Sequence, residues 1–565
     1  MASADRRLKL DTTPSGVVVS YQGRRLTGQD PVRSCRRRLP ENLTTQTLYL
    51  VFSPLLGYGI AETALHLPPT AALLLVEFEP ALAELWEHSD APTERALRGN
   101  VRYARNRENA LAEAYRLIED LAIRRVEAIH LTGGTRLHAQ AYTELHGDVG
   151  ELVQRFWSNR GTEIRLGRRW VANIMRNAPM ESIALDELRT RISSTVVLVG
   201  AGPHLDRHRE ELRHTDPVVT VAALDTALPA LAASGITPDL VFSMDAQLAN
   251  AYDLLPWRWD RTVLVADLTV HPSIVRRFSP ERRAFFASRF SRSVRLLDDP
   301  LLQEILQVPP RGSIAPAAIE ILVRHLGVRT VATVGVDFWY RPPRTHAAMT
   351  GPDRRMRATM HRLLRNDGFP EVLNRPVTET VLRTGEAVTS DTVLVDQARH
   401  VRQLVQELKV SFPDLAVYTA DREGLDTGAV VREGVLSELA RGQTGANGHA
   451  SPSGQTAAGT PGASLPGAHA PRARASTDNN TARLSALFDL LKRLRAQETR
   501  LATRDAPTII DASLDFVLFD MPQWPLLTVR QDWAQLHREG ILRSIRDYRR
   551  RLENALRVVN PRVPL

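Results

Sequence analysis

Five short apolar runs constrain this chain more than any other feature. TVVLVG, VVTVAALD, LVFSMD, VLVAD and TVATVGVD lie between Thr195 and Asp337, and each breaks at a glycine or an aspartate before a helical stretch. Runs of this length without polar alternation suit strands buried on both faces, and their regular interleaving with helices points to α/β units around a parallel sheet. Further strand-like runs at Val17–Tyr21, Leu48–Phe52, Leu73–Val76 and Glu127–Leu131 precede them. The chain therefore reads as two Rossmann-like α/β blocks, residues 1–180 and 181–430.

Composition changes abruptly at Arg441. From there to Asn480 the chain is rich in Gly, Ala, Ser and Pro and nearly free of large apolar residues, so it cannot repay the entropy of folding. Residues 431–480 read as a disordered linker. Beyond it, Leu484, Leu487, Phe488, Leu491 and Leu494 recur at helical spacing, as do Trp533, Leu536, Ile541, Ile545, Tyr548, Leu552 and Leu556. Residues 481–565 read as a small α-helical module, suited to packing or to homo-oligomer formation.

The formal charge of +9 raises the question of a polyanionic partner. Yet Lys9, Lys409 and Lys492 are the only lysines among 73 basic residues. Such an arginine bias can arise from codon composition, so no nucleic-acid partner is expected. None of the three lysines follows a glycine, which excludes a Walker A loop. A lone cysteine, Cys35, can make neither an intrachain disulfide nor a multi-cysteine zinc site, and suits a reducing compartment. The N-terminus has no apolar core of a signal peptide, and no run approaches the ~18 residues of a spanning helix. A cytoplasmic protein without a membrane span is expected.

Ligands of open parallel sheets collect outside the carboxyl ends of the strands. In the first block Gly57 and Gly59 follow a strand, and Glu77 and Glu79 close the next. This is a dinucleotide-binding layout, but Glu62 stands where the third glycine belongs, and a tight structural turn accounts for the pair equally well. In the second block Gly200-Ala-Gly202-Pro203 leads from strand to helix, a place where backbone N–H groups can meet a phosphate. Asp225 with Thr226, Asp245 with Gln247, and Asp267 end the next strands, either as ligand contacts or as helix caps. Gly312-Ser313 opens a helix. Asp337 is followed by Phe338, Trp339 and Tyr340, then by Arg341, Arg344, Thr345 and His346. A loop histidine in that company is a candidate base or phosphate contact.

GAGPHLD, ALDTALPALAASGITPDLVFSMD, GSIAPAAIEILVRHLG and VGVDFWY followed by RTHA resemble, in this order, segments of the motility-associated factor (Maf) proteins, a family also described as 6-hydroxymethylpterin diphosphokinase-like. YQGRRLTGQDPVRSCRRRL, LLGYGIAETAL and LLLVEFEPALAEL extend the resemblance towards the N-terminus. It implies a sialyltransferase-like central domain in a flagellin-modifying glycosyltransferase. The donor would be a CMP-activated nonulosonic acid of the pseudaminic or legionaminic type, and the acceptor Ser or Thr of flagellin. By motif, Gly200, Gly202 and Pro203 would sit at the CMP phosphate and ribose, and Asp225, Asp245, Gly312 and Ser313 would line the nucleotide pocket. Two departures stand out. His204 replaces the serine that usually follows Gly-x-Gly-Pro, and VYTADREGL lacks an expected double glycine.

For such a transfer we expect His346 as base or phosphate-contacting acid, with Asp337 as its orienter or as an alternative base. The Gly200–Gly202 backbone with Arg341 or Arg344 would clamp the anion. No cofactor and no dedicated metal site is expected, although Mg²⁺ held by aspartates fits the same chemistry. The alternatives are a pterin diphosphokinase using ATP and Mg²⁺ on Asp225, Asp245 and Asp337, and a non-catalytic flagellin-binding scaffold.

Overall fold

The computed structural model describes residues 7–88, 100–254, 258–288, 305–340, 344–360, 375–440, 473–503, 514 and 538–559. It is a mixed α/β protein in two compact units, Met1–Arg165 with Phe519–Gly540, and Leu166–Leu518 with Ile541–Leu565. The units divide at Arg165–Leu166, inside the helix Ala139–Asn177, whereas the sequence suggested a boundary near residue 180. A continuous helix has no compositional break to mark such a division.

In the first unit, strands β1 (Leu8–Thr13), β2 (Gly16–Tyr21) and β3 (Arg24–Arg25) form an antiparallel sheet. Strands β4 (Thr47–Phe52), β5 (Ala72–Val76), β6 (Val101–Ala104) and β7 (Arg125–His130) form a parallel sheet in the order β6-β5-β4-β7. Every residue of β4 and β5 is buried. Leu48, Leu50 and Phe52 face one core with Tyr142 and Leu145, while Tyr49 and Val51 face another with Ile60 and Trp86. Burial on both faces is why these strands carry no polar alternation.

The second unit is built on nine strands: β8 (Thr195–Val199), β9 (Thr220–Leu224), β10 (Leu240–Ser243), β11 (Val263–Asp267), β12 (Arg283–Ser288), β13 (Leu306–Val308), β14 (Thr330–Val334), β17 (Ala416–Thr419) and β18 (Val430–Val431). Their order is β13-β12-β11-β10-β9-β8-β14-β17-β18, and all pairs are parallel. Between β14 and β17 the chain makes an antiparallel hairpin, β15 (Val377–Val381) and β16 (Ala387–Asp391), then the helix Thr392–Ser411, which Asp391 caps by accepting from Val393 N at 2.8 Å. Asn173 and Asn177 fasten the start of the unit by donating to the carbonyls of Ala246, Leu268, Thr269 and Val270 at 2.7–3.2 Å.

The helices Ala473–Ala502 and Arg538–Val559 run antiparallel. Arg495 pairs with Glu553, while Glu498 pairs with Arg546 and Arg549. Leu487, Leu491, Leu494, Ile541, Ile545, Tyr548, Leu552 and Leu556 are buried. Trp533, Leu536 and most of the linker, residues 441–472, lie outside the described residues. Among the described residues no helix is long and apolar enough to cross a membrane.

Candidate functional site

In the nine-stranded sheet the chain steps outward from β8 to β13 on one side, then returns at β14 on the other side of β8. Such a reversal leaves a crevice at the carboxyl ends of the two central strands. A cavity of about 220 Å³ occupies it, lined by Gly200–Pro203 after β8, Thr226 after β9, Ser313, Asp337–Tyr340 after β14, Thr345, His346, and Leu394 and Gln397 of the helix Thr392–Ser411. A larger cavity of about 740 Å³, lined in part by Ser182, Arg189, Leu306 and Arg324, opens beside the beginning of β13. We take the smaller one as the site, because the loops that vary in chemistry leave the sheet at its carboxyl edge.

The glycine loop is there for the packing of two loops. A Cβ on Gly200 would collide with the carbonyl of Gly335, and one on Gly202 with the carboxylate of Asp337. The loop's donors are engaged too: Gly200 N donates to Val334 O and Gly202 N to Gly335 O, both at 2.8 Å, and His204 N donates to Asp337 Oδ2 at 3.2 Å. Pro203 has no N–H. Of the expected backbone clamp for an anion, the Gly200 and Gly202 N–H groups are thus spent in tying the loop after β8 to the end of β14.

His204 is buried within a cluster. Its Nε2 meets Glu423 Oε2 at 3.1 Å, and its Nδ1 lies 3.1 Å from Asp337 Oδ1 without hydrogen-bond alignment, so both of the latter atoms are buried without a partner. One helical turn on, His208 bridges Asp421 Oδ1 at 2.9 Å and Glu211 Oε2 at 3.0 Å. Burial opposes charging of His204, but Asp337, Asp421 and Glu423 outweigh it and raise its pKa. Burial raises the Asp337 carboxyl, and its contacts with His204 only partly offset this. Burial also acts on Asp421, yet its bond to His208 carries its pKa below the usual range. The two departures from the Maf pattern thus touch each other. His204 and His208 stand four apart in HLDRH, a spacing that places two imidazoles on one helix face. Asp421 and Glu423 arrive from beyond β17, with no local signal.

His346 is a different case. Its Nδ1 faces Thr345 Oγ1 at 2.9 Å. Burial, reinforced by Arg375 and Arg355, lowers its pKa to about 4, so the imidazole is neutral at physiological pH. The expected pairing with Asp337 is corrected: among the described hydrogen bonds Asp337 serves His204 and none joins it to His346. The neutral ring is suited to accept a proton and unsuited to act as a phosphate-contacting acid.

The other expected residues separate into two groups. Ser313 lines the cavity, and its buried hydroxyl has no hydrogen-bond partner. Asp225 is buried and not itself in the lining, accepting from Thr226 N at 2.8 Å and Ser243 Oγ at 2.7 Å; burial pushes its pKa up to about 6. Asp245 accepts from Gln247 N and Asp267 from Thr269 and Ser288, which makes both of them loop braces away from the cavity lining. Gly312 is likewise outside the lining, at φ +78° in a turn that favours glycine. Arg344 is exposed and 3.5 Å from Asp206, not in the cavity wall, and Arg341 lies outside the described residues. Phe338, also in the wall, has φ +53°, an uncommon conformation for an aromatic residue.

In the first unit the corresponding reversal between β4 and β7 is plugged. Thr132 Oγ1 donates to Ser53, and Gly134 packs on the Ser53 hydroxyl. Glu77 accepts from Tyr142 Oη and Glu79 N, while Glu79 accepts from Tyr21 Oη and meets His138. Glu79 is engaged through both oxygens and Glu77 through Oε1, while Glu77 Oε2 is buried without a hydrogen-bond partner. Gly57 (φ +66°) and Gly59 (φ +85°) belong to the turn itself.

Residues 169–342 match the family model described as 6-hydroxymethylpterin diphosphokinase MptE-like. An uncharacterized protein of Treponema pallidum (strain Nichols) is 27% identical over 439 residues, covering 74% of this chain and 73% of its own length. A second uncharacterized protein of the same organism is 28% identical over 122 residues, covering 21% of this chain and 57% of its own. Among solved structures, the MAf glycosyltransferase from Magnetospirillum magneticum AMB-1 shares the fold. Its TM-score is 0.54 at 12% identity, over 98% of this chain and 91% of that one.

Proposed function

We propose, from the Maf-like assignment that the family match and the shared fold support, that the chain is a glycosyltransferase. In this reading its central block moves a nonulosonic acid of the pseudaminic or legionaminic type from CMP to Ser or Thr of flagellin, in the cytoplasm. The observation that carries the reading is the switch-point cavity, in which a neutral His346, an unpartnered Ser313 hydroxyl and an aromatic wall come together. The acceptor hydroxyl attacks the anomeric carbon and gives its proton to His346. The bond from that carbon to the phosphate oxygen breaks, and CMP leaves with the electron pair. The cavity is smaller than the ~300 Å³ at which ligand pockets usually begin, so it suits part of the donor, with the sugar and acceptor reaching outward. Thr226 and Ser313 serve the nucleotide, and the transfer needs no cofactor. The helical tail serves as a homo-oligomer contact in the same reading.

The test is transfer to purified flagellin, read by intact mass, with CMP-nonulosonates as donors. Sugar addition is expected, and His346→Ala should lose roughly 10²–10⁴-fold in rate while keeping its melting temperature. Because the His346 pKa lies at about 4, the acid limb of the rate profile should fall well below the 6.5 of a free histidine. No transfer, with stabilisation by ATP and Mg²⁺ in place of CMP, would favour the diphosphokinase reading that the MptE-like match also suggests.

A further inference from the structure

We propose that His204, Asp337 and Asp421 form a site for one divalent transition-metal ion of the zinc class. The argument is independent of the transferase reading. One donor atom from each residue lies within 4.8 Å of the other two, and all three residues are buried, at 5%, 2% and 4% exposure. Buried polar atoms without partners cost roughly 1–3 kcal/mol each, so native structures seldom keep several together. Here Asp421 Oδ2 is without a hydrogen-bond partner, and His204 Nδ1 and Asp337 Oδ1 have only each other, 3.1 Å apart and out of hydrogen-bond alignment.

The remaining atoms of the same three side chains are fully employed. His204 Nε2 faces Glu423, Asp337 Oδ2 accepts from His204 N, and Asp421 Oδ1 meets His208, which Glu211 holds from its other side. That is the outer layer characteristic of metal ligands, in which a carboxylate fixes the second ring nitrogen of the ligating histidine. The 3.1 Å between His204 Nδ1 and Asp337 Oδ1 matches the spacing of two neighbouring ligands held ~2.0–2.2 Å from one ion. A mixed nitrogen and oxygen donor set favours Zn²⁺ or Mn²⁺ over Mg²⁺ and Ca²⁺, which prefer oxygen alone. Such an ion would bind the loop after β17 to the glycine loop after β8, with Asp337 shared between the ion and the cavity.

The experiment uses the full chain without a histidine tag, stripped with a chelator and titrated calorimetrically with zinc chloride alone, with manganese chloride as second probe. One tight equivalent of Zn²⁺ is expected. His204→Ala and Asp421→Asn should weaken it more than about 100-fold, and Glu423→Gln, at a half-buried outer position, by roughly 10–100-fold. Wild-type protein with no equivalent tighter than about 100 μM would overturn the proposal. So would an equivalent that Glu423→Gln and Asp421→Asn retain unchanged, which would assign the cluster to ion pairs between imidazolium and carboxylate.

Discussion

At the residue scale, the most consequential positions are those where a side chain has no room. Gly202 is held by contact with Asp337 rather than by a need to approach a ligand. Gly202→Ala must therefore move the Asp337 carboxylate or part β8 from β14, and overpacking of this kind costs about 1–3 kcal/mol. The expected result is a lower denaturation midpoint, whether or not any nucleotide is present. A variant as stable as wild type that lost only nucleotide binding would restore the ligand-cradle explanation. This position shows the reach and the limit of sequence reading. That glycine was required there was legible in GAGP; what it made room for was not, because Asp337 comes from the loop after β14, 135 positions later in the chain. The same holds for His346, whose loop was recognisable while Asp337 was expected in the place beside its ring that Thr345 takes.

At the scale of elements, strands were the legible part, because parallel strands buried on both faces are written as unbroken apolar runs. Their order was not, since β14 joins β8 through contacts that no local pattern encodes. The antiparallel helices Ala473–Ala502 and Arg538–Val559 show which of their contacts matters. Leu552 is fully buried, so Leu552→Ala should cost about 2–5 kcal/mol, read as a shift in the urea midpoint. The arginine on the rim of the same helix, Arg546, pairs with Glu498 but is 46% exposed, and Arg546→Ala should change stability by less than about 1 kcal/mol. Equal effects would mean that charge rather than apolar burial joins the helices.

At the scale of the whole molecule, many of the exposed arginines are held in local pairs. Arg36 with Glu62, Arg107 with Asp148, Arg399 with Asp396 and Arg402 with Asp426 are exposed arginines already matched by an acid. Each of the two parallel sheets reverses its strand order once. The second keeps a cavity there, whereas the first fills the position and buries Glu77 beneath it. Burial pushes the Glu77 pKa up to about 7, so the folded unit binds a proton that the unfolded chain releases near 4.5. Stability from this group is complete below pH 4.5 and is lost as pH rises towards 7, by about 3 kcal/mol in all. Glu77→Gln should remove that loss, giving a variant that gains on wild type at pH 8 and matches it near pH 4; an unchanged pH profile would show that Glu77 is ionised in the fold. The plug over Glu77 has a practical side. Ser53, Thr132 and Gly134 are small, and they close a position that the same strand arrangement leaves open elsewhere in the chain. A protein engineer seeking to install a second ligand pocket would begin by trimming there, on a scaffold already shaped for one.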